Sequence, residues 1–316
     1  MVGVVIPVVA LNGPTASGKT AVAVAVAHGL AVAGISAEVV NADSMLVYRG
    51  MDIGTAKPTV AEREGIPHHL VDILDVTQSA SVADFQRLAR EAITDCRVRG
   101  VVPLLAGGSA LYVHAILDDF EFPGTDPVVR TRLEDELAQV GPHALHERLA
   151  TLNPEAAAGI LPGNGRRTVR ALEVIELTGT FSSVLPAWSY ALEDVLQFGL
   201  EVPRDVLDER IAARVDRMWA QGLVAEVERL VALGLRDGRT AWRALGYRQV
   251  LAFLDGDLTE EKAREATVFG TRRFARKQLG WFRRDPRITW LASGPQSAGR
   301  IVSVVTDRVL GEPEER

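Results

Sequence analysis

Residues 13 to 20 constrain this chain more than any other segment. Gly13-Pro14-Thr15-Ala16-Ser17-Gly18-Lys19-Thr20 follows the apolar run Val4–Leu11 and precedes the alanine-rich stretch Ala21–Ala33. A Gly-x4-Gly-Lys-Thr segment after a buried strand and before a helix is the P-loop pattern of nucleotide-binding proteins. Its glycines let backbone N–H groups turn onto phosphate oxygens, and the helix N-terminus adds partial positive charge. Lys19 supplies a full charge, and the Thr20 hydroxyl can ligate Mg²⁺. Ala21–Ala33 alternates Ala and Val, which by period alone suits a strand. Its place after the loop and its alanines argue for helix.

A short, continuous apolar run suits a parallel strand buried on both faces. Two more such runs follow: Ala37–Asn41, running into Ala42-Asp43-Ser44, and Val101–Leu105, running into Gly107-Gly108-Ser109. Between them Ser81 can cap a helix from Val82 to about Arg99, with Asp84 at the third position as in a capping box. Strands alternating with helices imply an α/β fold with a P-loop NTPase-like parallel sheet. The pattern changes near Phe122. Pro123-Gly124-Thr125-Asp126-Pro127 breaks the chain, with Asp126 as helix cap and Pro127 at the first helical position. Helices alone follow, marked by Leu133, Leu137 and Val140, by Asn153-Pro154 and by the segment from Arg166. We therefore expect residues 1–121 to start the core, 122–190 to form an all-helical insertion, and 191–316 to complete the core. The last part should hold a strand at Leu196–Val202, helices at Arg204–Leu233, Thr240–Leu254 and Thr259–Arg284, and a strand at Ile288–Leu291.

The overall charge and the local charge of this chain point in opposite directions. With 47% hydrophobic and 24% charged residues over 316 positions, the chain is an ordinary globular one of about two structural units. Its 35 Lys+Arg against 41 Asp+Glu give a net charge of −6, which argues against a nucleic-acid partner. Locally the balance reverses. Thr271 to Arg284 holds Arg272, Arg273, Arg276, Lys277, Arg283 and Arg284 and no acid. Taken alone, this stretch fits a solvated helix face as well as an RNA-phosphate patch. The single cysteine, Cys96, allows no intrachain disulfide and suits a reducing, cytoplasmic setting. His68/His69 and His143/His146 lack zinc-site partners nearby in sequence. No apolar run is long enough to span a membrane, and Met1–Leu11 lacks the flanks of a signal peptide.

A P-loop holds a polyphosphate or diphosphate without saying what is transferred. The third strand runs into Gly-Gly-Ser instead of the aspartate of P-loop hydrolases, and no Asn-Lys-x-Asp motif occurs. Both facts disfavour a switch GTPase or motor ATPase and leave a small-molecule kinase open. A non-catalytic RNA-binding protein with a nucleotide switch is a third reading, disfavoured by the same missing aspartate. Asp43 follows the second strand, at the edge where open α/β sheets bind ligands. It is a candidate base with Ser44 as a hydrogen-bond donor, and equally a turn cap.

Asp43-Ser44-Met45-Leu46-Val47-Tyr48-Arg49-Gly50-Met51-Asp52-Ile53-Gly54-Thr55-Ala56-Lys57-Pro58 resembles the signature of the tRNA dimethylallyltransferases, or tRNA isopentenyltransferases. Gly13–Thr20, Gly107-Gly108-Ser109-Ala110-Leu111-Tyr112, Arg167-x-x-Arg170-Ala171-Leu172-Glu173, Gly246-Tyr247-Arg248-Gln249, Thr271-Arg272-Arg273 and Trp281-Phe282-Arg283 are similar to further family motifs, in order. The resemblance implies transfer of a dimethylallyl group from dimethylallyl diphosphate to N6 of adenosine at tRNA position 37, with Mg²⁺; a monomer is expected because no exposed apolar stripe stands out in the sequence. The resemblance implies Asp43 as base, Ser109 orienting Asp43 or the adenine, and Lys19 and Arg214 on the diphosphate. For Arg214, ion pairs to Asp208, Glu209 and Asp216 are the alternative. Gly13 to Thr20 would hold the donor. The anticodon arm would meet Asp43, Ser44, Met45, Leu46, Ser109, Arg130, Arg166, Arg167, Arg170, Gly246, Tyr247, Arg248, Gln249, Arg273 and Lys277. Ser109 stands where the family has Thr, Arg166 where it has Gln, and Asn164-Gly165 where it has Asp-Pro.

Overall fold

The computed structural model describes residues 6–183 and 187–311. In chain order the elements are β1 (Val8–Asn12), α1 (Lys19–Val32), β2 (Ala37–Asn41), α2 (Val60–Arg63), β3 (His68–His69), α3 (Val82–Val98), β4 (Val102–Ala106) and α4 (Ala110–Leu117). Next come α5 (Pro127–Leu152), α6 (Pro154–Ala158) and α7 (Gly165–Thr178). The chain continues with β5 (Val195–Glu201), α8 (Arg204–Ala220), α9 (Leu223–Ala232), a 3₁₀ turn (Ala241–Arg243), α10 (Tyr247–Leu254), α11 (Glu260–Phe282), β6 (Thr289–Ala292) and α12 (Pro295–Leu310).

The six strands form one parallel sheet in the order β3-β2-β4-β1-β5-β6. β1 is central, with Val9 opposite Leu104 on one side and Ala10 opposite Gln197 on the other. All five of its residues are buried, which is why Val8–Leu11 is continuously apolar rather than alternating. Val4 and Val5, expected in this strand, lie outside the described residues. Apolar layers cover both faces of the sheet. Val8, Ala10, Val40 and Leu105 point into one, Val9, Leu11, Val39 and Leu104 into the other.

Local chemistry explains the helix boundaries. α1 begins at Lys19, after Gly18 in the left-handed region at φ 88°. It packs against α12 so closely that a Cβ on Gly29 would lie 2.6 Å from Val302 Cγ2. Ser81 accepts the Asp84 N–H at 3.0 Å. The Asp84 carboxylate answers to the Ser81 hydroxyl at 2.6 Å instead of to its backbone, so the box is closed differently from the usual form. The expected helix Arg204–Leu233 is two helices, broken where Gly222 takes φ +95°. Thr240–Leu254 likewise divides at Gly246, φ +91°.

The chain divides into two compact units, Met1–Asp118 with Tyr190–Arg316, and Asp119–Ser189. The second has a core of its own around Leu133, Leu145, Leu149, Ile160, Val169 and Leu172. Asp126 caps α5 by accepting from Val128 N and Val129 N, and the helix kinks at Gly141-Pro142. No described helix is long and apolar enough to cross a membrane.

Candidate active site

Because β1, β2 and β4 run parallel, their carboxyl ends deliver three loops to one edge of the sheet. These are residues 13–18, 42–46 and 107–109. The first is wound tightly. A Cβ on Gly13 would lie 2.9 Å from Ser17 Oγ and 3.3 Å from the Leu200 carbonyl, and Ala16 adopts φ 63°. Lys19 Nζ reaches back to donate to the Gly13 carbonyl at 2.9 Å and the Pro14 carbonyl at 2.7 Å. Burial lowers its pKa to about 8, with Asp43 opposing and Arg214 reinforcing that shift.

Arg214 enters from α8. Its guanidinium donates to Thr15 Oγ1 at 3.1 Å and to the Thr55 carbonyl at 3.0 Å. Burial pulls its pKa down while Asp43 opposes. Arg214 makes none of the ion pairs considered from sequence. Asp208 lies against Arg272 and Asp216 against Arg264. Lys19, Arg214 and Asp43 thus act on one another electrostatically around the 13–20 loop, although they are far apart in sequence.

Asp43 Oδ1 accepts the Met45 N–H at 2.9 Å, and its own backbone is held on both sides by Asn41. It therefore caps a turn with one oxygen, while Oδ2 makes no hydrogen bond among the described residues. Capping and proton transfer are compatible roles here. Ser109 Oγ lies 3.4 Å from both the N–H and the hydroxyl of Ser44, so it addresses Ser44 rather than Asp43. Ser44, Met45 and Leu46 are half-buried on the same loop. Gly107 has no room for a side chain, since a Cβ would run into the Ala42 carbonyl. Tyr112, on the helix after this loop, is pushed up to about 12 by burial, with Tyr48 and Asp43 contributing.

Two residues of this region carried no motif. Glu226 on α9 is fully buried. It accepts the N–H groups of Asp52 (3.1 Å), Ile53 (2.8 Å) and Gly54 (3.2 Å) and the Tyr247 hydroxyl (2.6 Å). Glu226 thereby fixes the turn whose Thr55 carbonyl meets Arg214. Gln278 on α11 accepts the Thr15 N–H at 2.9 Å and donates to the Gly108 carbonyl at 2.7 Å. The available signal for both was a polar residue on an otherwise apolar helix stripe: Glu226 among Leu223, Val227 and Leu230, Gln278 between Ala275 and Phe282.

The residues expected at tRNA sort differently. Arg273 and Lys277 are exposed on α11, as is Arg276, and none of the three has an ion pair among the described residues. Of Gly246-Tyr247-Arg248-Gln249 only Arg248 is exposed. Tyr247 is buried on Glu226, and Gln249 is buried with its carbonyl on Gly246 N–H, so these two side chains shape the loop and do not face solvent. In the second unit Arg130 and Arg170 both bind Glu173, and Arg170 also donates to the Pro123 and Gly124 carbonyls. Burial would raise the Glu173 pKa, but hydrogen bonds from Arg130, Thr125 and Arg170 outweigh it and hold the carboxyl at about 2. Arg167 donates to the Ser183 carbonyl at 2.9 Å, and Arg166 is exposed.

Folding does bring partners to His69. Its Nε2 lies 2.6 Å from Glu38, and Cys96 lies close to both. Arg99 takes both oxygens of Glu38 at 2.7 Å and holds that carboxyl at about 2. Burial pushes the Cys96 thiol up to about 12. A metal would have to displace a guanidinium and deprotonate a reluctant thiol, so the group is an ion-pair cluster.

A phosphate loop joined to no hydrolytic aspartate, but within electrostatic reach of a strand-end carboxylate, defines a group transferase on a P-loop α/β core. Residues 46–285 match the IPP transferase family. A tRNA dimethylallyltransferase of Kineococcus radiotolerans is 64% identical over 90% of each chain. One of Salinispora arenicola is 63% identical over 90% of this chain and 82% of its own. The crystal structure of the full-length tRNA isopentenylpyrophosphate transferase of Bacillus halodurans superposes with a TM-score of 0.70 at 40% identity, covering 97% of both chains. The chain belongs to this family of tRNA-prenylating enzymes.

Proposed function

We propose that the protein transfers the dimethylallyl group of dimethylallyl diphosphate to N6 of adenosine at position 37, beside the tRNA anticodon, releasing diphosphate. The observation that carries this reading is the convergence of Lys19, Arg214 and Asp43 on the 13–20 loop. The loop amides and the two cations hold the diphosphate and stabilise the charge it gains as the allylic C–O bond breaks. The electron pair leaves with diphosphate, the N6–C bond forms, and N6 must shed a proton. Asp43 Oδ2 takes that proton, because an exocyclic adenine amine is a poor nucleophile while its lone pair is delocalised. The adenine has to leave its stack to reach the donor carbon. Ser44, Met45, Leu46 and Ser109 line the approach beside Asp43.

Thr20 is exposed on the first turn of α1 and makes no hydrogen bond of its side chain among the described residues. One such hydroxyl, with diphosphate oxygens and water, is the kind of oxygen set Mg²⁺ takes. Bound there, the ion would supply charge neutralisation on the leaving diphosphate. Arg273 and Lys277 on α11, with Arg248, would meet the phosphates of the anticodon arm. Arg166 and Arg167 would do so from the helical unit. The enzyme acts as a cytoplasmic monomer in this reading.

Incubation with labelled dimethylallyl diphosphate, Mg²⁺ and tRNA bearing adenosine at position 37 should place label in the tRNA. A parallel reaction with labelled ATP should transfer no phosphate; transfer there would favour a kinase and sink the proposal. Asp43→Ala should cut turnover by about 10²–10⁴-fold with donor binding retained. Collapse of the fold in that variant would assign Asp43 to capping alone.

A further inference from the structure

Gln278 belongs to no site described from sequence, yet it touches both halves of the catalytic edge. It lies within α11 and is 5% exposed. Its carboxamide is divided between two loops: Oε1 accepts the Thr15 N–H, and Nε2 donates to the Gly108 carbonyl. Thr15 belongs to the donor loop, and its hydroxyl receives Arg214. Gly108 immediately precedes Ser109, which meets Ser44. The fit is steric as well as polar. A Cβ on Gly108 would lie 2.5 Å from Gln278 Nε2, and one on Gly107 would strike the Ala42 carbonyl next to Asp43. The Gly107-Gly108 segment is therefore wedged between the amide of Gln278 and the backbone that carries Asp43.

From this geometry we infer that Gln278 is a positioning residue for prenyl transfer. It sets the spacing between the diphosphate loop and the Asp43–Ser109 edge, and so between leaving group and acceptor amine. The inference rests on the reading of those loops as donor and acceptor sides. A carboxamide supplies an acceptor and a donor on two separate atoms, one for each loop. A carboxylate would keep the Thr15 bond, lose the Gly108 bond and set a negative charge beside bound diphosphate. A thioether of similar length would lose both bonds. A displacement of about 1 Å between two reactants can cost on the order of 10²-fold in rate without loss of binding.

The test uses the full chain with dimethylallyl diphosphate and tRNA. Gln278→Met should lower kcat about 30- to 100-fold, with KM for either substrate changed less than about threefold. Gly108→Ala leaves Gln278 in place but pushes its amide aside; it should reproduce the kcat loss. The double variant should be no worse than the more damaged single, because both break one bridge. Hydrogen exchange of the 13–18 segment should be faster in Gln278→Met, a readout independent of turnover. Native-like kcat in Gln278→Met overturns the inference. So does a loss confined to KM for tRNA, which would make Gln278 a tRNA contact. A Thr15 amide in the native protein that exchanges as fast as an unbonded one would show the bridge itself to be absent. If native protein moves no prenyl group, the reading of the reaction fails instead, and the exchange arm still decides whether the bridge exists.

Discussion

The cations at the sheet edge and the cations on the outer face of α11 carry the same charge under opposite conditions. Lys19 and Arg214 are half-buried with their charged ends turned into the protein, and desolvation lowers the pKa of each. Arg273, Arg276 and Lys277 are exposed. A buried charge acts through a low local dielectric and is little screened by salt, whereas an exposed one loses its reach within about 10 Å at 0.1 M salt. One set suits a fixed, small diphosphate. The other suits a long polyanion that arrives and leaves. Arg130 and Arg170 are a third case. They have a buried partner in Glu173, so much of their charge is already neutralised within the helical unit. A count of arginines along the chain does not distinguish the three.

Substitutions should separate the two sets of cations. The largest effect should come from Arg214→Gln, which removes the half-buried donor proposed for the leaving group. Turnover should fall about 10²–10³-fold, and the ratio to native enzyme should stay constant between 50 and 300 mM salt, measured by single-turnover kinetics. A salt-dependent ratio would place Arg214 with the surface set. Next, the double reversal Arg273→Glu/Lys277→Glu should weaken tRNA binding by at least about tenfold at moderate salt. The slope of log affinity against log salt should flatten by roughly 1.4 to 1.8, the share of two phosphate contacts. Fluorescence anisotropy with a labelled anticodon stem-loop reads both, and an unchanged affinity would reject the patch.

A pH effect should follow in size. Lys19 holds its proton below about pH 8 and loses it above. Relative to Lys19→Met, whose profile carries the ligand's own titration, affinity for inorganic diphosphate should therefore be level to about pH 7 and fall toward tenfold per unit above 8, as calorimetric titration can follow. A ratio to Lys19→Met that stays level to pH 10 would mean that Lys19 stays charged. Smallest of all, Arg166→Gln should cost tRNA affinity no more than about threefold, as expected for one exposed cation. A larger loss would move Arg166 from phosphate contact to base reading.

Much of the sheet can be read directly from the apolar runs, because a strand buried on both faces has no alternative pattern. β1, β2, β4 and β5 announce themselves in this way, while β6 is a short apolar run at the sheet edge with no fully buried residue. β3 does not, since its His68-His69 pair carries no apolar signal and is a strand only by pairing with Val39 and Val40. The breaks at Gly222 and Gly246 were hidden because helical periodicity continues on either side of each. At the candidate site, the 13–20 loop and Asp43 are visible as strand-end motifs. Glu226 and Gln278 are not, because the loop backbones they hold lie 170 or more positions away along the chain. Local pattern gives their burial but never their partner. His69 teaches the same lesson, as Glu38 and Cys96 reach it only through the fold.

The central place of β1 also decides when the enzyme becomes competent during its own synthesis. β1 pairs with β4 and β5, and the whole helical unit is translated between those two partners. At about 5–20 residues per second, roughly 10–40 s separate the emergence of β1 from that of β5. The helical unit is contiguous and has its own core, so it can condense while β1 still lacks one neighbour. Leu200, which walls Gly13, arrives with β5, and Gln278, which grips Thr15, later still. The segment nearest the start of the chain is thus among the last to reach its working shape.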